Sequence, residues 1–403
     1  MTITERPPRV LSRELGILTF CQFLYYSGLA VDLTLTAVVG MHLASTLALA
    51  TVPLSIMGGV SLVSSFFAGT LSAKLGHRTI LLAGALAATL GALVSMWAVL
   101  VHNFALLCLG TAIVGLYKAT GGYFRYLAAD RAPEGGRTRA LSIVLTGGVA
   151  GAVAGPWSAT LSADLFGAKY AGSYLLVALL AVAVVGLVLF VKPKTRTAQG
   201  EEAERLEPVR IRDAAATPNF RRALVLLGSA SGLMTLLMAM GPIASSSHGH
   251  SGADAALIIQ WHMVGMFAPS LFSGKLVGRW GAAPTAAAGT GLLLAGALWG
   301  AMDSSALGYA IGLGLVGVGW NFLYVAGSDF TIRTYPAGRG GRVQGAIEAS
   351  AGSITVLGSL SSAGIFGALG WTGTNLLAAV LCATVLGWLL LVVRPAEARK
   401  EAA

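Results

Sequence analysis

The segment GTLSAKLGHR, residues 69–78, decides the fold because part of it recurs in the second half of the chain. Four of its residues are matched 205 positions later in GKLVGRWG, residues 274–281. Gly69, Leu71, Lys74 and Gly76 correspond there to Gly274, Leu276, Arg279 and Gly281. The tripeptide Gly-Gly-Arg at 135–137 recurs at the same offset, at 340–342. Two matches at one offset, about half of the 403 residues, indicate a duplicated unit of the kind from which transporters are often built.

Long apolar runs separated by short polar loops fill both halves of the chain. Hydrophobic residues make up 55% of it and charged residues 11%, so it is far more apolar than a soluble domain. A helix needs about twenty apolar residues to cross a bilayer core of about 30 Å. Twelve transmembrane helices are therefore predicted, at residues 15–37, 47–71, 79–101, 104–128, 140–164, 172–192, 222–244, 253–275, 282–302, 306–328, 341–366 and 371–393.

One long polar segment divides these helices into two sets of six. It carries charges of both signs, and no apolar run interrupts it. We therefore predict an N-terminal six-helix bundle over residues 1–192, a cytoplasmic linker at 193–220 and a C-terminal six-helix bundle over 221–403. The predicted fold class is an all-α integral membrane protein of twelve helices, which excludes a soluble enzyme.

The basic residues lie on alternate loops. Of the 27 Lys and Arg residues, all but Lys118 and Lys169 fall on one predicted side of the membrane. The positive-inside rule makes that side cytoplasmic, together with both termini. The net charge of +10 therefore reflects orientation in a lipid bilayer, because the basic residues form no patch of the kind that nucleic acid binding needs.

With these features the chain resembles the major facilitator superfamily. GTLSAKLGHR is similar to the loop that this family conserves between its second and third helices. The resemblance implies two pseudo-symmetric six-helix bundles that move a solute between them by alternating access, and no enzymatic activity. The family usually has an acidic residue at the position of Ala73, which Lys74 follows here. The charge network attributed to that loop is therefore expected to differ in this protein.

Four ionisable side chains inside predicted helices are candidates for a function: Asp32, Lys118, His262 and Glu348. A charged group at the bilayer centre costs roughly 2.5–3.5 kcal/mol on insertion scales, so each one needs a partner or a function. One interpretation is interhelical pairing that stabilises the packing. The other is proton coupling, for which Asp32 is favoured because the first helix lines the central cavity in the family. Trp320 and Asn321 are candidates for either the cavity wall or the packing.

A run of small residues, GGVAGAVAGPW at 147–157, occupies the fifth predicted helix. Its four-residue spacing favours close packing against a neighbouring helix. The run also loosely resembles the Gly-Pro motif of drug/proton antiporters, and packing is the favoured interpretation.

Methionine and histidine form the most distinctive pattern. Met234 and Met238 make an MxxxM motif in the seventh helix, and His262 and Met266 make HxxxM in the eighth. Residues four apart share one helix face, and the predicted depths of the two pairs overlap. Thioether sulfur and neutral imidazole suit Cu(I), whereas the carboxylates that hard cations prefer are missing from both motifs. The alternative is that these methionines are apolar fillers.

The two motifs resemble those of the CcoA-type copper importers, a bacterial branch of the superfamily. The resemblance implies a monomer in the bacterial inner membrane that imports copper for cytochrome oxidase assembly, with copper as substrate and no resident cofactor. Relatives in the same branch carry riboflavin, so the alternative is an organic-solute carrier, either a riboflavin importer or a drug/proton antiporter. Flavin would call for aromatic side chains along the cavity, and the chain offers Tyr25, Tyr26, Trp320 and Tyr324.

Further candidate ligands lie at the predicted outer side. His248 and His250 fall in the loop between the seventh and eighth helices, and Met41 and His42 end the first helix. These residues are candidates for capturing metal before it reaches the membrane interior. Met57 precedes His262 by 205 residues and is a weaker candidate for an additional ligand.

Overall fold

A computed structural model describes residues 12–45, 49, 52–133, 135–192, 209–337 and 339–393. Most of these residues lie in α-helices. Three parts of the chain lie outside the described residues: the basic N-terminal segment before residue 12, the predicted linker from 193 to 208, and the basic C-terminal segment after residue 393. The end of the helices at which Lys74, Arg131 and Arg333 lie is called the basic face here, and the other end is called the opposite face.

Six helices form the first half. Ser12 begins the first of them by accepting a hydrogen bond from the Leu15 N–H at 3.1 Å, which satisfies a backbone donor that has no helical partner. The fourth helix has a short interruption at residues 121 and 122. The bounds are α1 Arg13–Leu43, α2 Val52–Leu75, α3 His77–Leu100, α4 Phe104–Thr120 with its continuation Tyr123–Arg131, α5 Arg137–Ser162 and α6 Ala171–Leu189.

The second half repeats this arrangement after a short linker helix, Ile211–Ala215. The helical run Gly341–Trp388 bends at Gly370, whose φ of +66° favours glycine, and so forms two helices. A π-helical turn, Leu389–Val393, follows it. The bounds are α7 Pro218–Ser247, α8 Gly252–Phe267 with its continuation Ser270–Trp280, α9 Ala282–Met302, α10 Ala306–Ile332, α11 341–369 and α12 371–388.

The predicted twelve-helix architecture is confirmed. Among the described residues, ten helices are long and apolar enough to cross a membrane. The other two are α8, whose two pieces have only 16 and 11 residues, and α11, which is rich in glycine and serine. Both pack within the bundle beside the other ten, α8 against α10 and α5, and α11 against α7 and α2.

The repeated segment has the same backbone geometry in both halves. Gly76 joins α2 to α3 with a φ of +81°, and Gly281 joins α8 to α9 with a φ of +88°. Residues with a Cβ are strained at such angles, which explains why both copies keep glycine. The predicted spans 47–71 and 79–101 left residues 72–78 between them, whereas α2 continues to Leu75 and Gly76 alone separates it from α3.

Glycines hold α5 against α1, as the packing interpretation of the 147–157 run predicts. A Cβ on Gly147 would lie 2.2 Å from the Thr19 carbonyl oxygen, and one on Gly151 would lie 2.7 Å from that of Phe23. These distances are too short for any side chain. The backbones of the two helices therefore touch, as small residues allow in membrane bundles.

The two halves also touch closely at the basic face. Gly69 of α2 faces α11, where a Cβ would lie 2.3 Å from the Gly345 Cα. In the pseudo-symmetric position, Gly274 of α8 faces Ser142 of α5, and a Cβ there would lie 2.5 Å from the serine Cβ. The repeated glycine therefore makes an equivalent close approach in each half, and these approaches close the basic face.

Candidate functional site

Aromatic side chains gather where the two halves meet, beginning with the first half. Tyr25 of α1 packs edge-on against Tyr26 and against Tyr117 of α4, with ring centroids 5.1 and 5.0 Å apart. Gly121 makes room for this ring, since a Cβ at that position would lie 2.1 Å from it. The interruption of α4 is therefore occupied by the Tyr25 side chain.

Phe267 joins the two halves. It ends the first piece of α8, and its ring centroid lies 4.6 Å from that of Tyr26 and 6.1 Å from that of Trp320. Gly148 of α5 faces the same ring, and a Cβ there would come within 2.6 Å of it. Phe267 was not among the residues that the sequence predicted, because its role depends on where α8 is interrupted.

That interruption is stabilised by side chains of neighbouring helices. Pro269 has no N–H and cannot continue the helical hydrogen bonds. Asn321 donates through Nδ2 to the Met266 carbonyl at 2.7 Å and to the Ser270 hydroxyl at 2.6 Å. Ser142 donates to the Ser270 carbonyl at 2.6 Å. Asn321 thus serves the packing, one of the two interpretations that its sequence position allowed.

Trp320 and Tyr324 complete the cluster from α10. They lie one helical turn apart and stack with centroids 4.5 Å apart and planes inclined by 19°. Trp320 is buried and Tyr324 is half-buried. All four aromatics predicted for a flavin cavity are therefore brought together. The central aromatic cluster consists of Tyr25, Tyr26, Tyr117, Phe267, Trp320 and Tyr324.

A buried ion pair joins the halves beside this cluster. Arg125 of α4 donates to the Glu348 carboxylate of α11 at 2.5 Å, and the Tyr126 hydroxyl donates to the same oxygen at 2.8 Å. The guanidinium also lies 4.1 Å from the centre of the Tyr324 ring. Grouping Arg125 with the basic loop residues was wrong, because it is 1% exposed and faces the other half.

The other two proton-coupling candidates lie elsewhere. Asp32 and Lys118 line a small cavity between α1, α4 and α6, together with Tyr25 and Tyr117. Asp32 is buried, and Lys118 lines the same cavity. This pair therefore belongs to the first half alone, whereas Glu348 lies at the interface between the halves.

Several buried polar atoms around the cluster have no hydrogen-bond partner in the described part of the chain. They include Nε1 of Trp320, the hydroxyl of Tyr117, Oε1 of Gln22 and Oδ1 of Asn321. Gln22 lies one turn before Tyr26 on α1, so the two share a helix face. Leaving such a group unpaired costs about 1–3 kcal/mol. Together they offer one N–H donor, one hydroxyl and two carbonyl acceptors to a bound solute.

The methionine and histidine quartet is distributed over two helices, with Met234 and Met238 on α7 and His262 and Met266 on α8. His262 is fully buried, and its Nδ1–H donates to the Leu313 carbonyl of α10 at 2.7 Å. Its Nε2 has no partner among the described residues. Met266 is buried, while Met234 and Met238 are half-buried on α7. Metal-ligating histidines often have this second bond to a carbonyl, but convergence of the four side chains on one ion stays a prediction.

The outer histidines hold their loop in place. His248 Nδ1 lies 2.9 Å from both the Tyr309 hydroxyl and the Ala244 carbonyl. His250 Nε2 donates to the Ser304 carbonyl at 2.7 Å. One nitrogen of each ring is therefore occupied by contacts within the second half, and metal capture by these rings stays a prediction.

The remaining candidate ligands are scattered. His42 is exposed at the end of α1, with its ring centroid 6.1 Å from that of Tyr170. The side chain of Met41 lies outside the described residues. Met57 is 1% exposed on α2, and its backbone packs against Gly115 of α4. Their roles as ligands are untested predictions.

A polar network reinforces the closed basic face. His77 Nε2 donates to the Gln344 side-chain oxygen at 2.6 Å, and its Nδ1 lies 3.4 Å from the Asp130 carboxylate. Arg137 pairs with Asp130 at 3.2 Å. Thr138 donates to Asp329 across the interface. These residues lie in the region where we expected a charge network different from that of the family, because Ala73 stands where the family usually has an acidic residue.

Comparison with known proteins identifies the family. The sequence model of the family described as Major Facilitator Superfamily matches residues 15–242 and 222–403. The chain belongs to the major facilitator superfamily. It is therefore a multi-pass membrane transporter and not an enzyme, as the sequence predicted.

Relatives with full-length similarity extend this result. The riboflavin transporter RfnT of Brucella anthropi is 30% identical over 393 residues, which cover 97% of this chain and 98% of that protein. The MFS-type transporter YdeG of Bacillus subtilis is 30% identical over 405 residues, covering 96% and 93%. Neither relative supports the copper branch that the two motifs suggested, so the organic-solute alternative fits better.

Solved structures share the fold at low identity. The transporter FucP in the outward conformation superposes with a TM-score of 0.73 at 15% identity, over 94% of this chain and 99% of that one. The human organic anion transporter MFSD10 gives a TM-score of 0.76 at 15% identity, over 95% and 100%. These similarities show the two-bundle fold alone.

Proposed function

We propose that this protein carries a planar aromatic solute of the flavin class across the membrane by alternating access. The observation that supports this most strongly is the central aromatic cluster, to which both halves contribute rings at their interface. Full-length similarity to a riboflavin transporter supports the same class of solute. Sites between the two repeats near the midplane are the usual solute sites of such transporters.

The cluster suits a flat heteroaromatic ring for two reasons. Aromatic stacking contributes about 0.5–1.5 kcal/mol per pair beyond the area that is buried, and Trp320 and Tyr324 form a stack of their own at one edge of the cluster. The unpartnered Trp320 Nε1 and Gln22 Oε1 can pair with the acceptors and donors at the edge of such a ring. The solute would thus gain both stacking and hydrogen bonds.

Transport requires that the basic face open. In the state described here, Gly69 packs against Gly345, and Ser142 against Ser270 and Ser273, so a solute in the cluster cannot leave on that side. We expect a bound solute to favour separation of these contacts, because Phe267 links the cluster to α8 just before Ser270. Release on the basic face would follow, in the direction of import.

Equilibrium binding tests the proposal. Riboflavin fluorescence should be quenched on adding the purified protein, since a stacked tryptophan quenches flavin emission. Trp320→Ala should raise the dissociation constant roughly tenfold, which corresponds to about 1.4 kcal/mol. Trp280→Ala is the matched control, because Trp280 is 51% exposed at the far end of α8. Equal affinity in wild type and Trp320→Ala would place the solute elsewhere.

Copper import is retained as a second candidate because of one observation. The buried Nε2 of His262 has no hydrogen-bond partner in the described part of the chain, and Nδ1 is bound to a carbonyl in the manner of a metal ligand. Radioactive copper uptake in cells with and without the protein separates this candidate from the flavin proposal.

A further inference from the structure

We propose that Glu348 neutralises the buried Arg125 and so leaves no available cation for an anionic solute beside the central site, so that riboflavin is accepted and its phosphate ester is rejected. This inference rests on the proposed function, because it assumes that a flavin ring occupies the central aromatic cluster. It adds the charge of the solute, which neither the fold nor the relatives specify.

Each charge of the pair is neutralised by the other. The Arg125 guanidinium lies 2.5 Å from the Glu348 carboxylate, and its side chain is 2% exposed. Tyr126 accepts a hydrogen bond from Arg125 at 2.9 Å and donates one to Glu348 at 2.8 Å. Buried charges remain ionised only where they are paired in this way, so the pair as a whole is neutral toward a solute.

The pair is close enough to the cluster to select among solutes. The Arg125 guanidinium carbon is 4.1 Å from the centre of the Tyr324 ring, and Tyr324 stacks on Trp320 at 4.5 Å. Glu348 keeps 21% of its side chain exposed. Glu348 is therefore the more accessible of the two charges, and the guanidinium beside Tyr324 is the more deeply buried one.

A second set of ionisable residues near the cluster, Asp32 and Lys118, adds no net charge to its surroundings. Asp32 and Lys118, one acid and one base, line the cavity that they share with Tyr25. Each of the two sets, Asp32 with Lys118 and Glu348 with Arg125, combines one acid with one base and so adds no net charge beside the cluster. An anion entering the site would lose its hydration and meet an Arg125 guanidinium that Glu348 already neutralises, which is an unfavourable exchange.

Riboflavin and flavin mononucleotide distinguish a neutral from an anionic solute. The two share one ring system and one ribityl chain, and they differ only in the terminal hydroxyl or phosphate. Stacking on Trp320 and Tyr324 should therefore be the same for both. Any difference in affinity must come from the environment of the chain end, which the Arg125–Glu348 pair would set.

The experiment compares the two flavins by fluorescence quenching on purified, full-length protein. Wild type should bind riboflavin at least about tenfold more tightly than flavin mononucleotide. Glu348→Gln removes the compensating charge and leaves Arg125, whose Nε–H is already unpartnered among the described residues, free to attract a phosphate. The affinity ratio should then fall to about one or invert. Glu14→Gln breaks a half-buried pair with Arg131, away from the cluster, and should leave the ratio unchanged.

A double variant separates charge from folding effects. Arg125→Met with Glu348→Leu has neither charge, so it should keep the preference for riboflavin, even where Glu348→Gln is too unstable to purify. Equal binding of both flavins by wild type would overturn this inference and leave the proposed function intact. A ratio that falls equally in the double variant would also overturn it. Wild type that binds neither flavin would instead refute the proposed function.

Discussion

Tyr324 is the residue on which stacking and charge meet, because Trp320 lies against it at 4.5 Å and the Arg125 guanidinium carbon lies 4.1 Å from its ring centre. Tyr324→Leu should weaken riboflavin binding roughly tenfold, by removing both the stacking surface and a cation–π contact of about 0.5–2 kcal/mol. Tyr324→Phe retains the ring and should bind as wild type does. Isothermal titration of both variants is the measurement, and a wild-type dissociation constant for Tyr324→Leu would contradict the expectation.

Met238 separates the two cargo hypotheses at the level of one sulfur atom. Leucine has nearly the same volume as methionine but no thioether, so Met238→Leu should leave riboflavin uptake within about twofold of wild type. Parallel uptake of radioactive riboflavin and radioactive copper is the measurement. Copper uptake that wild type performs and Met238→Leu loses would instead support the copper interpretation.

The sequence indicated four of the six aromatic residues of the cluster and also Glu348, but not Arg125, the partner of Glu348. Tyr25, Tyr26, Trp320 and Tyr324 were recognisable because large rings stand out in helices rich in small residues. Arg125 was not, because its partner lies 223 residues away and a helix face alone does not reveal which distant helix it meets. The sequence signal for Arg125 was its position, because it is a charged residue within the predicted span 104–128.

At the scale of helices, glycine determines how closely the two halves approach. On α2, Gly69 faces α11 with no room for a Cβ, whereas nothing lies within 4 Å of a Cβ on Gly59. Gly69→Ala should therefore push α2 away from α11 and disfavour the state that is closed at the basic face. Gly59→Ala is the control on the same helix and should have no effect.

Electron paramagnetic resonance can measure this change. Spin labels at Asp164 and Ser305 would report the distance between the halves at the opposite face, after Cys21, Cys108 and Cys382 are replaced by serine. As the basic face opens in alternating access, the labels should approach each other in Gly69→Ala. An unchanged distance distribution would show that the close approach of Gly69 does not control closure.

The positions of the helices were predictable, and the interruptions within them were less so. Apolar length located all twelve spans within a few residues, since lipid imposes one thickness on every helix. The break of α8 depends on Asn321 and Ser142 satisfying backbone groups near Pro269. Such tertiary compensation cannot be read from local sequence, and it is what places Phe267 in the cluster.

For the whole molecule, the distribution of basic residues predicts the orientation. Reporter fusions after Arg13 and within the 193–220 linker should lie in the cytoplasm, and so should one after Arg399. A fusion between His248 and His250 should lie in the periplasm. Alkaline phosphatase and green fluorescent protein fusions give opposite readouts for the two sides. Cytoplasmic activity of the loop fusion would contradict the twelve-helix topology.

Both halves must act together if a solute is to cross, because the central aromatic cluster draws its rings from α1 and α4 on one side and from α8 and α10 on the other. Flux, and not binding alone, is therefore the test of the complete mechanism. A receptor that binds flavin but never opens its basic face would pass every binding experiment described above.

Uptake of radioactive riboflavin into liposomes that contain only this purified protein tests the central claim most directly. We predict saturable accumulation that exceeds that of protein-free liposomes and is lost in Trp320→Ala. Excess unlabelled riboflavin should compete, and flavin mononucleotide should not. Uptake no faster than in protein-free liposomes, from protein that is folded and correctly inserted, would contradict the claim that this transporter carries a flavin.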